Sequence, residues 1–229
     1  MDRPAFDARK LYNQEEFSDV LVKFGDSQVY CHKIILCNAS EVFKEHFKAL
    51  GEASDQPRLG HAAEGQAMEG PPVQTAREVV KLQDRPEAVE ALLKAIYDHE
   101  YTGSIALGPW EDLRYHMDVY AVAHKYRIRC LALVAWTAAK NRVHAINVSG
   151  DCDIDKAVEH ITWAVKHKTC CPEFRVLMKL LVREHRTALW AKPAFRVLLE
   201  DKRGRAFADD LAWDILLDGV HACSRASSA

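Results

Sequence analysis

An α+β chain, with a small three-stranded sheet covered by helices and an all-α extension behind it, is what the sequence predicts. Three observations carry that expectation. Short runs at 18–24, 28–32 and 78–82 have strand character, the first two through alternation and the third through its β-branched residues. Segments with apolar residues three and four apart lie between and after them. Beyond a polar break, Ser149-Gly150-Asp151-Cys152-Asp153, only the helical rhythm continues. At 229 residues the chain has room for an ordinary domain and a smaller companion. The expected organisation is a short N-terminal segment 1–16, a domain 17–145 with a long loop at 51–76, and a helical region 153–222.

The elements follow in order. Val20, Val22 and Phe24 alternate with Asp19, Leu21 and Lys23; Gly25-Asp26-Ser27 makes a turn; Val29 and Cys31 then alternate with Tyr30 and His32. The stretch Lys33 to Leu36 reads as a short helical turn broken by Asn38 to Ser40. Ser40 offers an N-cap oxygen to a second helix, on which Phe43 and Phe47 recur four apart. From Gly51 to Ala76 the apolar rhythm gives way to four glycines and three prolines, the composition of a loop. Glu78 to Leu82 is too short to found a new sheet and is expected to join the first two strands. Asp84 and Glu87 stand at capping-box spacing around Pro86, ahead of a stripe of Ala88, Val89, Leu92, Leu93, Ile96 and Tyr97. That predicts a helix over 86–98, stopped at Gly103.

Leu113, Met117, Tyr120, Ala121 and His124 space a further helix to Tyr126, and the pattern resumes to about residue 142. In the extension, Ile154, Val158, Ile161 and Val165 share a face, as do Phe174, Leu177, Leu181 and His185. Pro172 and Pro193 suit the first helical position, and Phe207, Leu211 and Ile215 mark a last helix before Gly219 and a fraying tail.

Composition excludes several function classes. The chain is 48% hydrophobic and 28% charged, without the roughly 20-residue apolar run a membrane span needs. The N-terminus lacks the apolar core of a secretory signal, so the expected location is cytoplasmic, nuclear or both. Seven cysteines without framework spacing suit reduced thiols there. A net charge of -2 with mixed signs attracts neither nucleic acid nor an anionic membrane, so protein partners are expected.

A family resemblance rests on a long set of residues. Ser18-Asp19-Val20, His32-Lys33, Leu36, Ser40, Phe43, Phe47, Val80, Leu82, Asp84, Pro86, Ala88, Leu92, Leu93, Ile96, Tyr97, Thr102 and Gly103 follow the pattern of the BTB/POZ domain. The segment 120–131, YAVAHKYRIRCL, is similar to the one that closes that domain. The chain thus resembles the BTB/POZ family over about 17–145, and its helical remainder is similar to the C-terminal region of fungal members. Two departures stand out: Asp98-His99-Glu100 intervene before Thr102-Gly103, implying a wider turn, and the 51–76 loop is longer than usual. Only sixteen residues precede Phe17, where dimeric members often carry a long helix with an exchanged strand.

The resemblance implies a protein-protein interaction module without cofactor or catalysis, pairing with itself or another chain, with His32, Leu36, Ser40, Phe43, Tyr97 and Gly103 as structural positions. Asp19 and Lys33 match a charged pocket of some dimeric members, or else form a plain intrachain ion pair. Leu50 and Glu52 match the hydrophobic-x-Glu element of members that recruit a cullin to a ubiquitin ligase, or else are an ordinary helix end. A cullin adaptor and a scaffold or transcription-linked regulator are therefore both implied.

Two chemical readings compete with that one. Cys31 and His32 stand side by side, but adjacent strand residues project to opposite faces, so the expectation is a core cysteine and a junction histidine rather than a nucleophile and its base. His160, His167, Cys170 and Cys171 are the nearest approach to a metal or thiol site. The adjacent cysteines are not a CxxC knuckle, and Pro172 interrupts the helix that would align them, so no metal is expected. No phosphate-binding or hydrolase motif is present.

Overall fold

The computed structural model describes residues 7–54, 77–101, 108–149, 152–167 and 171–212, with the backbone alone at 51–54. After a 3-10 turn at Ala8–Leu11 come β1 (Val20–Phe24), β2 (Ser27–Cys31), α1 (Lys33–Ala39), α2 (Glu41–Ser54), β3 (Glu78–Leu82) and α3 (Pro86–Ile96). The rest is α4 (Pro109–Lys125), α5 (Arg129–Ser149), α6 (Ile154–Lys166), α7 (Glu173–Ala191), α8 (Pro193–Glu200) and a helical run at 202–212. The chain forms two compact units: residues 1–102 with 122–132, and residues 103–121 with 133–229. No helix among the described residues is long and apolar enough to cross a membrane.

The first unit is built on a sheet of order β2-β1-β3. β1 and β2 pair antiparallel through a two-residue connection led by Gly25, whose φ of 52° is a conformation glycine adopts without steric cost. β3 lies parallel to β1, with Val20 in register with Glu78 and Val22 with Val80, so the chain must cross over, and α1 and α2 lie in that crossover. The alternation predicted for the first two strands holds, with Val20, Val22, Phe24, Val29 and Cys31 buried, and β3 adds Val80 and Leu82 to the same core. The stripe on α3, from Ala88 to Tyr97, is buried as well, with Leu36, Phe43, Phe47 and Tyr126. Phe43 stacks on Tyr126 at 5.1 Å.

Three sequence expectations need correction. Asp84 does not cap α3, whose N-cap is Arg85 and makes no side-chain capping bond; the Asp84 carboxylate instead takes Lys125 Nζ at 2.8 Å and the Tyr126 hydroxyl at 3.1 Å. The break between α1 and α2 is Ser40 alone, since Asn38 and Ala39 remain helical. The helix expected over 86–98 ends two residues earlier, at Ile96, where Asp98 takes a φ of 59° and the His99 N–H bonds Lys94 O at 3.0 Å, a Schellman closure made without glycine. Arg127, at a φ of 58°, closes α4 the same way, with Ile128 N–H on Ala123 O at 2.8 Å.

The second unit is helical. α6 packs against α7 and α8, and Phe174 is ringed by Tyr120, Trp136 and Trp163 at 5.0, 5.5 and 5.7 Å. Asp153 caps α6 through the N–H groups of Asp155 and Lys156. Within α7 the helix kinks at His185, whose Nε2 lies 3.2 Å from Asn147 Oδ1. Phe207 and Leu211 are buried as expected, and Ile215 lies outside the described residues.

Gly25→Ala should test the hairpin. An added Cβ would meet Pro86 Cγ at 2.8 Å in a left-handed backbone, so a loss of about 1–2 kcal/mol is expected, read as a lower urea midpoint at unchanged m-value.

Candidate partner-binding site of the sheet unit

Where β2 passes into α1, Cys31, His32 and Lys33 follow one another, and the change of element sends each to a different task. Cys31 is fully buried beside Val20 in the ladder. Burial pushes its thiol up from 9.0 to about 12, so it stays protonated at neutral pH and is a core side chain rather than a nucleophile.

His32 stands at the N-cap of α1 but gives that helix no side-chain bond. Its backbone N–H donates to the Tyr97 hydroxyl at 2.8 Å, and its ring Nδ1 lies 3.0 Å from the same oxygen. Burial raises the pKa of Tyr97, which keeps that hydroxyl neutral. Tyr12 packs edge-on against Tyr97 at 5.7 Å and against His99 at 5.1 Å, so the residues beyond α3 are filled in by the N-terminal strap.

The cap that His32 does not supply comes from Asp19. Its Oδ1 accepts the Lys33 N–H at 2.7 Å, and a carboxylate at a helix N-terminus also has the favourable charge. The Asp19 carbonyl in turn accepts the Glu78 N–H at 3.1 Å. Glu78 Oε2 meets the Lys33 ammonium at 3.3 Å, while Lys33 Nζ stands 5.0 Å over the Phe47 ring. Asp19, Lys33 and Glu78 thus form one polar knot joining the residue before β1 to the first residues of α1 and β3. Its third member was missed by the sequence reading, because only the parallel register brings Glu78 alongside.

Two large apolar residues flank this knot and remain outside the core. Phe17, two positions before Asp19, is 80% exposed and holds a φ of 63°, which a bulky side chain rarely adopts. Ile34, the residue after Lys33, is 78% exposed. The strap carrying Phe17 is fastened to the start of β3 by Arg77, which meets Glu15 Oε1 at 2.8 Å and donates to the carbonyls of Glu15 and Ser18. Neither apolar residue was singled out from the sequence as exposed, since nothing in its neighbours marks it as excluded from the core.

The other predicted positions fall as follows. Leu36 and Phe43 are in the core, and Ser40 Oγ donates to Tyr126 O at 2.6 Å while accepting the Phe43 N–H at 3.3 Å. Leu50, near the end of α2, is 39% exposed; the side chain of Glu52 and all of Gly103 lie outside the described residues. Among the described residues no group of three or more metal-capable side chains comes together. His160 Nδ1 and Nε2 face the carbonyls of Lys156 and Trp110 at 2.7 and 3.0 Å, His167 stacks on Trp163 at 4.2 Å, and Cys170 lies outside the described residues.

Tyr97→Phe leaves the buried His32 N–H without its acceptor and should cost about 1–3 kcal/mol of unfolding free energy in urea. A thiol reagent at neutral pH should modify exposed Cys130 in the native chain and reach Cys31 only after denaturant is added.

No curated protein matches the chain. A family profile described as BTB/POZ domain matches residues 8–135, more than half of the 229 residues, and takes in the sheet, the polar knot and the strap that carries Tyr12 and Phe17. With the sheet order, the passage from β2 into α1 and that match in agreement, the chain belongs to the BTB/POZ family, whose domains are protein-protein interaction modules.

Proposed function

We propose that this protein pairs with a second copy of itself through the face that carries Phe17 and Ile34, and so presents its helical region as one of a pair. The observation that supports this reading is the coincidence of two highly exposed large apolar residues with a knot of fixed charges. Phe17 and Ile34 are exposed by 80% and 78%, and Asp19, Lys33 and Glu78 between them are held by backbone and ion-pair contacts. Buried anchors in a polar surround are the usual source of interface free energy, and a left-handed Phe17 is a strain that a bound partner would justify. The cytoplasm or nucleus is the proposed place of action.

Light scattering coupled to size exclusion tests the pairing. The chain should elute near twice its 25.9 kDa mass, and Phe17→Asp with Ile34→Asp should shift it to the monomer, weakening association by about tenfold or more. A wild-type chain that stays monomeric at high concentration removes the reading.

A second reading adds a cullin. Leu50 is partly exposed near the end of a fourteen-residue α2, where the apolar member of a hydrophobic-x-Glu element would have to be presented. In this reading the chain is a substrate adaptor of a ubiquitin ligase; in the first it is a scaffold or regulator. A pull-down with a cullin N-terminal domain separates them: binding by wild type, lost in Leu50→Ala with Glu52→Ala, supports the adaptor, and absence of wild-type binding sinks it.

A further inference from the structure

The second unit contains a groove that the pairing face does not involve. It has a volume of about 550 Å³ and is bounded by α6, α8 and the start of the 202–212 helical run, with Val165, Ala194, Val197 and Leu198 as its apolar members. Volumes of this size accommodate a few side chains or a small ligand. Val197 is 65% exposed, so the apolar lining is open to an approaching chain. Thr162 also lines the groove, but its hydroxyl donates to Val158 O at 2.7 Å within α6.

One wall is held by close packing. Gly204 is buried, and a Cβ there would run into the Leu198 carbonyl oxygen, so the turn after α8 can be this tight only with glycine. The turn carries Asp201 and Arg203 to the groove. The Asp201 carboxylate is engaged by the Arg203 N–H at 3.0 Å, where it caps the next helix. Lys166 and Arg203 supply two positive charges to the lining, and among the described residues no carboxylate meets either side chain. The groove is therefore an aliphatic surface with two cations and one carboxylate beside it, the carboxylate held at the start of the next helix, which leaves the lining with a net positive charge.

From that charge pattern we infer that the groove takes a short peptide segment of a partner protein in which an aliphatic residue stands next to an acidic one. The aliphatic side chain covers Val197 and Leu198, and the carboxylate meets Lys166 and Arg203. A charged group beside an apolar anchor selects between peptides of equal hydrophobicity, because a basic residue in the same place meets two like charges against the single carboxylate of Asp201. This goes beyond the pairing reading and does not depend on it.

A display library of short random peptides, panned on the full-length chain, tests the inference. The enriched peptides should share an aliphatic residue beside Asp or Glu. Made singly, they should lose about tenfold or more in affinity to Val197→Asp and to Arg203→Glu, and keep it for Ile34→Asp, which alters only the other unit. Both groove residues are exposed, so circular dichroism of the two variants should match wild type. Indifference to Val197→Asp removes the groove, and indifference to Arg203→Glu removes the acidic partner. A library that enriches basic peptides, or no peptide at all, overturns the inference outright. Monomeric wild-type protein that still shows the groove-dependent peptides would separate failure of the pairing reading from failure of this one.

Discussion

The buried backbone N–H of His32 stands where neither ladder nor helix can satisfy it. β2 has ended one residue earlier and α1 has not yet made its first turn. Leaving such a donor unpaired in the interior costs about 1–3 kcal/mol, a large share of the stability of an ordinary domain. Tyr97, 65 residues away and just past α3, brings its hydroxyl to the place at 2.8 Å. The bond fixes the direction in which α1 departs, and with it the position of Lys33 over Phe47 and beside Glu78. The Asp19 cap on the Lys33 N–H and the Arg77 contacts to Glu15 and Ser18 then complete this end of the sheet unit.

The magnitudes separate what holds the unit from what shapes its surface. Leu36, Phe43, Leu92 and Leu93 are exposed by 1% or less, and each contributes about 1.5–3 kcal/mol by leaving water. The Lys33–Glu78 pair, with side chains 41% and 27% exposed, is worth about 1 kcal/mol at most. Its effect is positional: a flexible lysine is held in one place beside Asp19, and the apolar residues on either side acquire a fixed polar neighbour. The same division appears in the second unit. There the rings around Phe174 supply burial, while Arg142 on the nearly buried Asp112 supplies orientation.

Much of this was legible in the residues. Period-2 alternation located the first two strands because one face of each is buried, β-branched residues marked the third, and the stripe on α3 read directly as a helix face. The helix ends were harder. Asp98 and Arg127 both take left-handed backbone to close Schellman turns, and neither is a residue type that announces one. Asp84 carried the spacing of a capping box, yet tertiary partners competed for its carboxylate and Lys125 with Tyr126 took it. Local signals fail where a side chain has a better offer from a distant element.

The amino-acid order by itself determined the elements, their burial faces and the family, because periodicity and the His32-Lys33, Ser40 and Tyr97 positions are local facts of the chain. Tertiary structure alone decided which charges meet. Glu78 reaches Lys33 only because β3 lies parallel to β1 in one register, and a register is set by pairing between distant segments. It alone also decided which apolar residues stay outside: Phe17 and Ile34 are as hydrophobic as their buried neighbours, and only the path of the packed chain leaves them in water.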